Sequence, residues 1–364
     1  EIMKKMFTVG LAAIAALSMT ACGASQAGKE TTASETAKTE VSNEKEEETE
    51  KNEKKGGYVV ALCNYSIGNS WRAQMEQEFV AEAEKLKEEG TVSEYYITNS
   101  NEDINKQISD MQDLITKKVD AIVITAASPT ALAPVVEEAT DAGIKVVSFD
   151  NVVETDMQVA TVGIDEKEFG RISAEWLAEK LNGKGKIVVL NGVAGTATDS
   201  LRWGGAEEVF KNYPEIEVLG SANASWDYAQ GKAAMESMLS AYPEIDGVWS
   251  QGGAMTQGAI DAFLAAGREL VPMTSEGNNG ALRAWIENRD QGLSCIAPSN
   301  PTYTSAEALR TVIKALNGEG VPNVVMDIET VTEENVDNYY RSDMPDSYWV
   351  LTELDDSALE KLYK

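Results

Sequence analysis

Histidine is absent from all 364 residues of the chain. No Ser-His-Asp or Cys-His catalytic pair can be built without it, and no histidine-ligated zinc or haem. Acid–base chemistry near neutral pH would fall to carboxylates, lysines, tyrosines or cysteines with displaced pKa values. Basic residues are scarce too, 31 against 60 acidic, which leaves a net charge of −29. That balance argues against nucleic acid, whose phosphates are met by Lys and Arg that release counterions. It also argues against docking on anionic lipid through basic side chains. The three cysteines, Cys22, Cys63 and Cys295, form neither a C-x-x-C pair nor a disulfide framework. Nothing resembles an EF-hand loop, so neither a cofactor nor a metal is expected. Hydrophobic residues, at 43%, are enough for a sizeable core, and the length suits two domains with appendages.

The appendage lies at the front. Met3-Lys4-Lys5 and the apolar stretch Phe7 to Met19 have the pattern of a secretory signal, short for a permanent span. The stretch ends in Met19-Thr20-Ala21-Cys22-Gly23, which resembles a bacterial lipoprotein signal. The resemblance implies removal of residues 1–21 and lipidation of Cys22, hence an extracytoplasmic protein anchored to the cell membrane. Residues 22–56 are rich in Ser, Thr, Glu and Lys and too poor in apolar groups to offset the entropy of ordering. They read as a tether that holds a folded body roughly 30 Å from the bilayer.

From Gly57 short apolar strands alternate with helices. Tyr58 to Cys63 is a continuous apolar run, as expected of a strand buried on both faces. Ser70 is suited to cap the following helix, and Gly90 to stop it. Strands at Tyr95 to Thr98, Ala121 to Thr125 and Lys145 to Phe149 follow, with helices between. After a break near Asp150 to Gln158 the cadence repeats, with strands at Val159–Ile164, Lys186–Leu190, Val218–Ser221, Gly247–Ser250 and Leu293–Ile296, and helices including Arg202–Lys211 and Thr256–Ala266. This is an α/β protein of two doubly wound, Rossmann-like units with parallel sheets. Ligands of such sheets collect at the carboxyl ends of strands.

Several pieces, in order, resemble the type I periplasmic sugar-binding proteins, in particular their ribose-type branch. They are Asn69-Ser70-Trp71, Asp113-Leu114-Ile115, Val119-Asp120-Ala121-Ile122, the run Ala139 to Asp150, Gly192-Val193-Ala194-Gly195-Thr196, Arg202 and Gln230-Gly231. The resemblance implies two lobes joined by a three-stranded hinge with a ligand cleft between them. The first lobe would combine 57–163 with 299–328, and the second 164–298 with 329–364. It also implies a role as the solute-binding component of an ABC importer, a monomer that takes up a pentose or hexose and meets permease subunits.

Matched to that pattern, Asn69 would hydrogen-bond the sugar and Trp71 would stack on it, with Trp226 as a second stacking ring. Asp150, Arg202 and Glu276 would bond its hydroxyls, because charge-assisted bonds are the strong ones. Tyr65 and Arg72 occupy neighbouring contact positions, Arg72 in place of an aromatic. Asn151 stands where ribose-type members carry Arg. Gly252 and Pro298 stand where the branch has amide contacts, so Gln251, Ser299, Asn300 or Tyr303 would compensate. Bland readings exist for three of them: Trp71 as helix packing, Asp150 as a loop residue, Arg202 as a surface cation at a helix start. Cys63 and Cys295 read as small buried hydrophobes. Two other functions compete: a sensor protein feeding a membrane receptor, and a glycoside hydrolase using Asp150 and Glu276 as its carboxylate pair.

Overall fold

The computed structural model describes residues 56–364, so the signal segment, Cys22 and nearly all of the tether lie outside the described residues. The first half of the body runs β1 (Tyr58–Asn64), α1 (Ser70–Glu88), β2 (Val92–Asn99), α2 (Ile104–Lys117), β3 (Ala121–Thr125), α3 (Ala133–Asp141), β4 (Lys145–Phe149) and β5 (Ala160–Ile164). The second runs α4 (Glu166–Lys180), β6 (Lys184–Asn191), α5 (Ala197–Phe210), β7 (Glu215–Asn223), α6 (Tyr228–Ala241), β8 (Gly247–Ser250), α7 (Gly253–Ala265), β9 (Met273–Thr274), α8 (Asn279–Asn288) and β10 (Cys295–Ser299). Then come α9 (Thr304–Leu316), β11 (Val324–Met326), β12 (Glu329–Val331), α10 (Val336–Tyr339) and α11 (Asp356–Tyr363).

Two six-stranded sheets result, ordered β11-β5-β4-β3-β1-β2 and β12-β10-β9-β8-β6-β7. All pairings are parallel except β10 with β12. The chain passes between the sheets after β5, after β10 and between β11 and β12. Helix α9 follows the second passage and packs on β3, β4 and β5 of the first sheet.

The strands carry apolar side chains on both faces because helices cover both. In β1, Val60 and Leu62 join the core under α1, whereas Ala61 and Cys63 join the core under α2 and α3. In β6, Val188 and Leu190 face one core and Ile187 and Val189 the other. This period of two sorts β1 and β6 between two cores. Cys63 and Cys295 are buried in those cores, and burial pushes the Cys63 thiol up to about 12 and the Cys295 thiol well above its usual value. Both therefore pack as apolar groups.

Three helix starts differ from the sequence reading. Asn69, not Ser70, caps α1: its extended backbone and side-chain oxygen meet the Arg72 N–H at 2.9 Å. Helix α5 begins at Ala197 with Thr196 as its cap, so Arg202 sits in its second turn on the buried side. Helix α7 begins at Gly253, three residues ahead of the expected Thr256, and its first turn is buried. Apolar periodicity marks where a helix faces a core; it is blind to a first turn whose residues serve the cleft.

After β12 the tail packs first on α8, through α10. Asn279 Nδ2 then donates to the carbonyls of Arg341, Met344 and Pro345. From Trp349 onward the tail lies against the first sheet's helices: Trp349 joins the core under α1, and α11 packs on α1.

Candidate ligand-binding site

The segments after β1, β4, β6, β7, β9 and β10 meet at one cavity between the two sheets, as parallel topology leads one to expect. Asn69, Trp71 and Arg72 reach it from the first turn of α1, and Asp150 from the end of β4. From the other side come Thr198 and Arg202 of α5, Trp226 after β7, and Glu276 after β9. Asn300, on the second passage between sheets, and Trp349, from the tail, complete the wall. The cavity is small, enclosing about 30 Å³.

Its polar wall is built on two buried guanidiniums, only 2–3% exposed. Arg72 pairs with Asp150 and donates to Thr125 Oγ1 and Tyr65 Oη, both at 3.2 Å. Arg72 also lies 4.4 Å above the Tyr65 ring and 5.0 Å from the Trp71 ring. Arg202 donates to Glu166 Oε2 at 2.6 Å, to the Gln251 carbonyl at 2.7 Å and to Glu276 at 3.3 and 3.4 Å. It rests on the Phe169 ring at 3.8 Å. Burial of charges is costly unless they are paired and hydrogen-bonded, and here both guanidiniums are.

Three carboxylates face these two cations. Burial pushes the Glu166 carboxyl up to about 7; Arg202 opposes the rise, while Asp150 and Glu276 add to it. Glu276 is raised by burial and held back by Arg202. The wall thus offers donors and acceptors side by side.

Asn300 joins the halves. Its side-chain amide donates to Asp150 Oδ1 at 2.9 Å and to Glu166 Oε1 at 3.4 Å, and its N–H to Glu276 Oε1 at 3.2 Å. Its carbonyl accepts from the Trp71 indole at 3.0 Å. A second tie runs from the Thr198 N–H to Asn151 Oδ1, at 3.0 Å, joining the segment after β4 to the start of α5.

Trp226 stands on unusual backbone. Ser225 and Trp226 both have left-handed φ, 55° and 54°, as has Asp150 at 56°. Such angles are uncommon for non-glycine residues and cluster where structure serves function. The turn is held by Ala224 N–H to the Asn191 carbonyl and Asp227 N–H to the Ala224 carbonyl. Two glycines make room for the indole: a Cβ on Gly192 would come within 2.1 Å of Cζ2, and one on Gly252 within 2.6 Å of Cδ1. Gly252 therefore does not leave an amide contact empty; its missing side chain seats Trp226.

The residues expected from the sequence divide in three. Asn69, Trp71, Arg72, Asp150, Arg202, Trp226, Glu276 and Asn300 line the cavity together. Tyr65, Asn151 and Gln251 lie behind it as buried partners of Arg72, Thr198 and Arg202. Tyr303 precedes α9, half-buried and away from the wall. Sequence reasoning missed Glu166, Thr198 and Trp349. Glu166 carried a signal, an acid opening a helix just after the first passage between sheets; Trp349 carried none, since the tail lacks strand or helix cadence there.

Two α/β lobes around a polar, indole-lined cleft define a solute-binding fold. Residues 60–320 match the family model of the periplasmic binding protein domain, and the chain belongs to that family, type I, in its ribose branch. The ribose import binding protein of Bacillus subtilis is 25% identical over 268 residues, 74% of this chain and 85% of the relative. The xylitol-binding protein of Mycolicibacterium smegmatis is 31% identical over 242 residues, 66% of this chain and 68% of the relative. Among solved structures, a periplasmic solute-binding protein of an ABC transporter from Actinobacillus succinogenes with bound D-allose superposes with a TM-score of 0.65. It is 26% identical and covers 78% of this chain and all of that one (100%).

Proposed function

We propose that this protein captures a monosaccharide, a pentose or hexose, between its lobes and hands it to the permease subunits of an ABC importer. The observation that carries the reading is the cavity itself, with indoles beside paired guanidiniums and carboxylates. A sugar presents C–H faces, which suit the rings of Trp71 and Trp226. Its hydroxyl rim both donates and accepts, which suits Arg72 with Asp150 and Arg202 with Glu276. A misplaced hydroxyl would leave one of these buried groups unpaired, and selectivity follows from that cost. Relatives named for ribose, xylitol and D-allose support the same chemistry.

Binding then needs no bond-making step, and Asp150 and Glu276 serve as acceptors held by guanidiniums. Hinge closure would bring 57–163 with 299–328 toward 164–298, the tail from 329 onward remaining attached to both, and the closed surface is what a permease would read. Lipidation at Cys22 would keep this monomer outside the cytoplasm, on the cell membrane.

A thermal-shift panel of pentoses, hexoses, polyols and nucleosides tests the reading. A ligand at a hundred times its Kd adds about 2.7 kcal/mol of stability. Stabilisation by a pentose or hexose, lost in Trp71→Ala and Trp226→Ala, is the expected result; no shift with any carbohydrate would overturn it.

A further inference from the structure

The tail does more than end the chain. Residues 345–351 form a strap that lies outside the span matched by the family and is tied to both lobes. On the second-lobe side, Asn278 forms an antiparallel bridge with Trp349, the Asn279 N–H donates to the Tyr348 carbonyl at 2.8 Å, and the Val350 N–H donates to the Gly277 carbonyl at 3.0 Å. On the first-lobe side, Gln74 of α1 holds the peptide of Trp349 from both ends: Oε1 accepts its N–H at 3.0 Å and Nε2 donates to its carbonyl at 2.9 Å. The Trp349 indole donates to Ser70 Oγ at 2.9 Å. Every polar group that orients this ring is therefore satisfied, and its face is part of the cavity wall.

We infer that Trp349 is a third ligand-contacting indole, and that the strap sets which saccharides the cavity accepts. The inference rests on the sugar-binding reading above. Trp71, Trp226 and Trp349 come from three separate segments and leave the polar rim to the two guanidinium–carboxylate sets. All three line the same small cavity, so a ligand held there lies within reach of each ring. The same strap supplies Asp346 and Ser347 to a larger, more open cavity of about 670 Å³ that shares Asn69 and Trp226 with the inner one. Trp349 lines the inner cavity two residues beyond Ser347, and its removal would enlarge that cavity for a bulkier sugar.

Isothermal titration of the full chain against the saccharide panel, with free sugars and their methyl glycosides, tests this. Trp349→Phe keeps an aromatic ring in the core but shortens the contact, and should weaken the best free sugar by about tenfold or more. Trp349→Ala should weaken it further and shift the preference toward the methyl glycosides. Because Trp349 is buried and the Ala variant can lose its fold, the Phe variant, shown to be folded by its circular-dichroism melt, is the decisive one. If Trp349→Phe binds with the wild-type affinity and order of preference while Trp226→Ala abolishes binding, the strap has no part in recognition and only this inference fails. If the wild type binds no saccharide, the functional reading fails and takes the inference with it.

Discussion

Arg202, which lines the cavity, meets Glu166 behind it at 2.6 Å, both buried, and the same guanidinium also bonds Glu276. One cation thus serves two carboxylates, and burial raises the Glu166 carboxyl to about 7. Its folded pKa of about 7 stands above the usual 4.5, so the folded state binds more protons than the unfolded between these values. The stabilisation is fully present below pH 4.5 and is lost as pH rises through 7. Glu276 and Glu78, also raised by burial, act with the same sign. The melting temperature should fall between pH 5 and pH 8, and Glu166→Gln should flatten that fall; an unchanged slope in the variant would show that Glu166 is ionised throughout.

Arg72 and Asp150 form the matching pair in the first lobe, where Asp150 also accepts from Asn151, Asn300 and Thr125. Removing one partner of a buried pair strands the other, at a cost of about 3–5 kcal/mol. Arg72→Met should destabilise by about that amount, and adding Asp150→Asn should recover part of it. Urea unfolding of the two single variants and the double variant checks the coupling. Additive losses would mean that the pair is not a unit.

How far these pairs could be read from the sequence depends on what each residue advertises. Asp150 ends an apolar strand and Trp71 follows a strand-to-helix turn, positions that parallel topology sends to a cleft. Glu166 was open to the same logic, but an acid in the first turn of a helix is ordinary, since it favours the helix dipole. Gly252 was read by what it lacks and not by what it makes room for, because the packing of Trp226 against two glycines joins three distant loops. Trp349 approaches the cavity from a tail with no periodicity, held by Gln74 and Asn278, and long-range polar ties of this kind leave no local pattern.

The glycine seat of Trp226 yields a sharp test. Gly252→Ala places a methyl 2.6 Å from Cδ1, against a ring whose backbone, like that of Ser225, is left-handed. Overpacking of this kind costs about 1–3 kcal/mol, and a displaced ring would alter the cavity it lines. The variant should melt lower and bind its sugar more weakly. Gly204→Ala, on the same lobe with nothing within 4 Å of its added Cβ, should leave binding unchanged. Equal affinity in both variants would show that Trp226 does not touch the ligand.

The tie between Asn151 and Thr198 bears on how the cleft stays shut. The Asn151 side chain accepts from a backbone N–H at the start of α5, and the Thr198 hydroxyl approaches the Asp150 carbonyl at 3.5 Å. Both contacts span the lobes, so an opening motion breaks them before it disturbs either core. A net hydrogen bond contributes about 0.5–1.5 kcal/mol, which corresponds to roughly two- to tenfold in a rate. Asn151→Ala should therefore speed ligand release by that factor while leaving association nearly unchanged, because the open cleft receives the ligand without this bond. Stopped-flow fluorescence, reporting on the cleft indoles, separates the two rates. A slower association with an unaltered release would mean that Asn151 shapes the open cleft and does not hold the closed one.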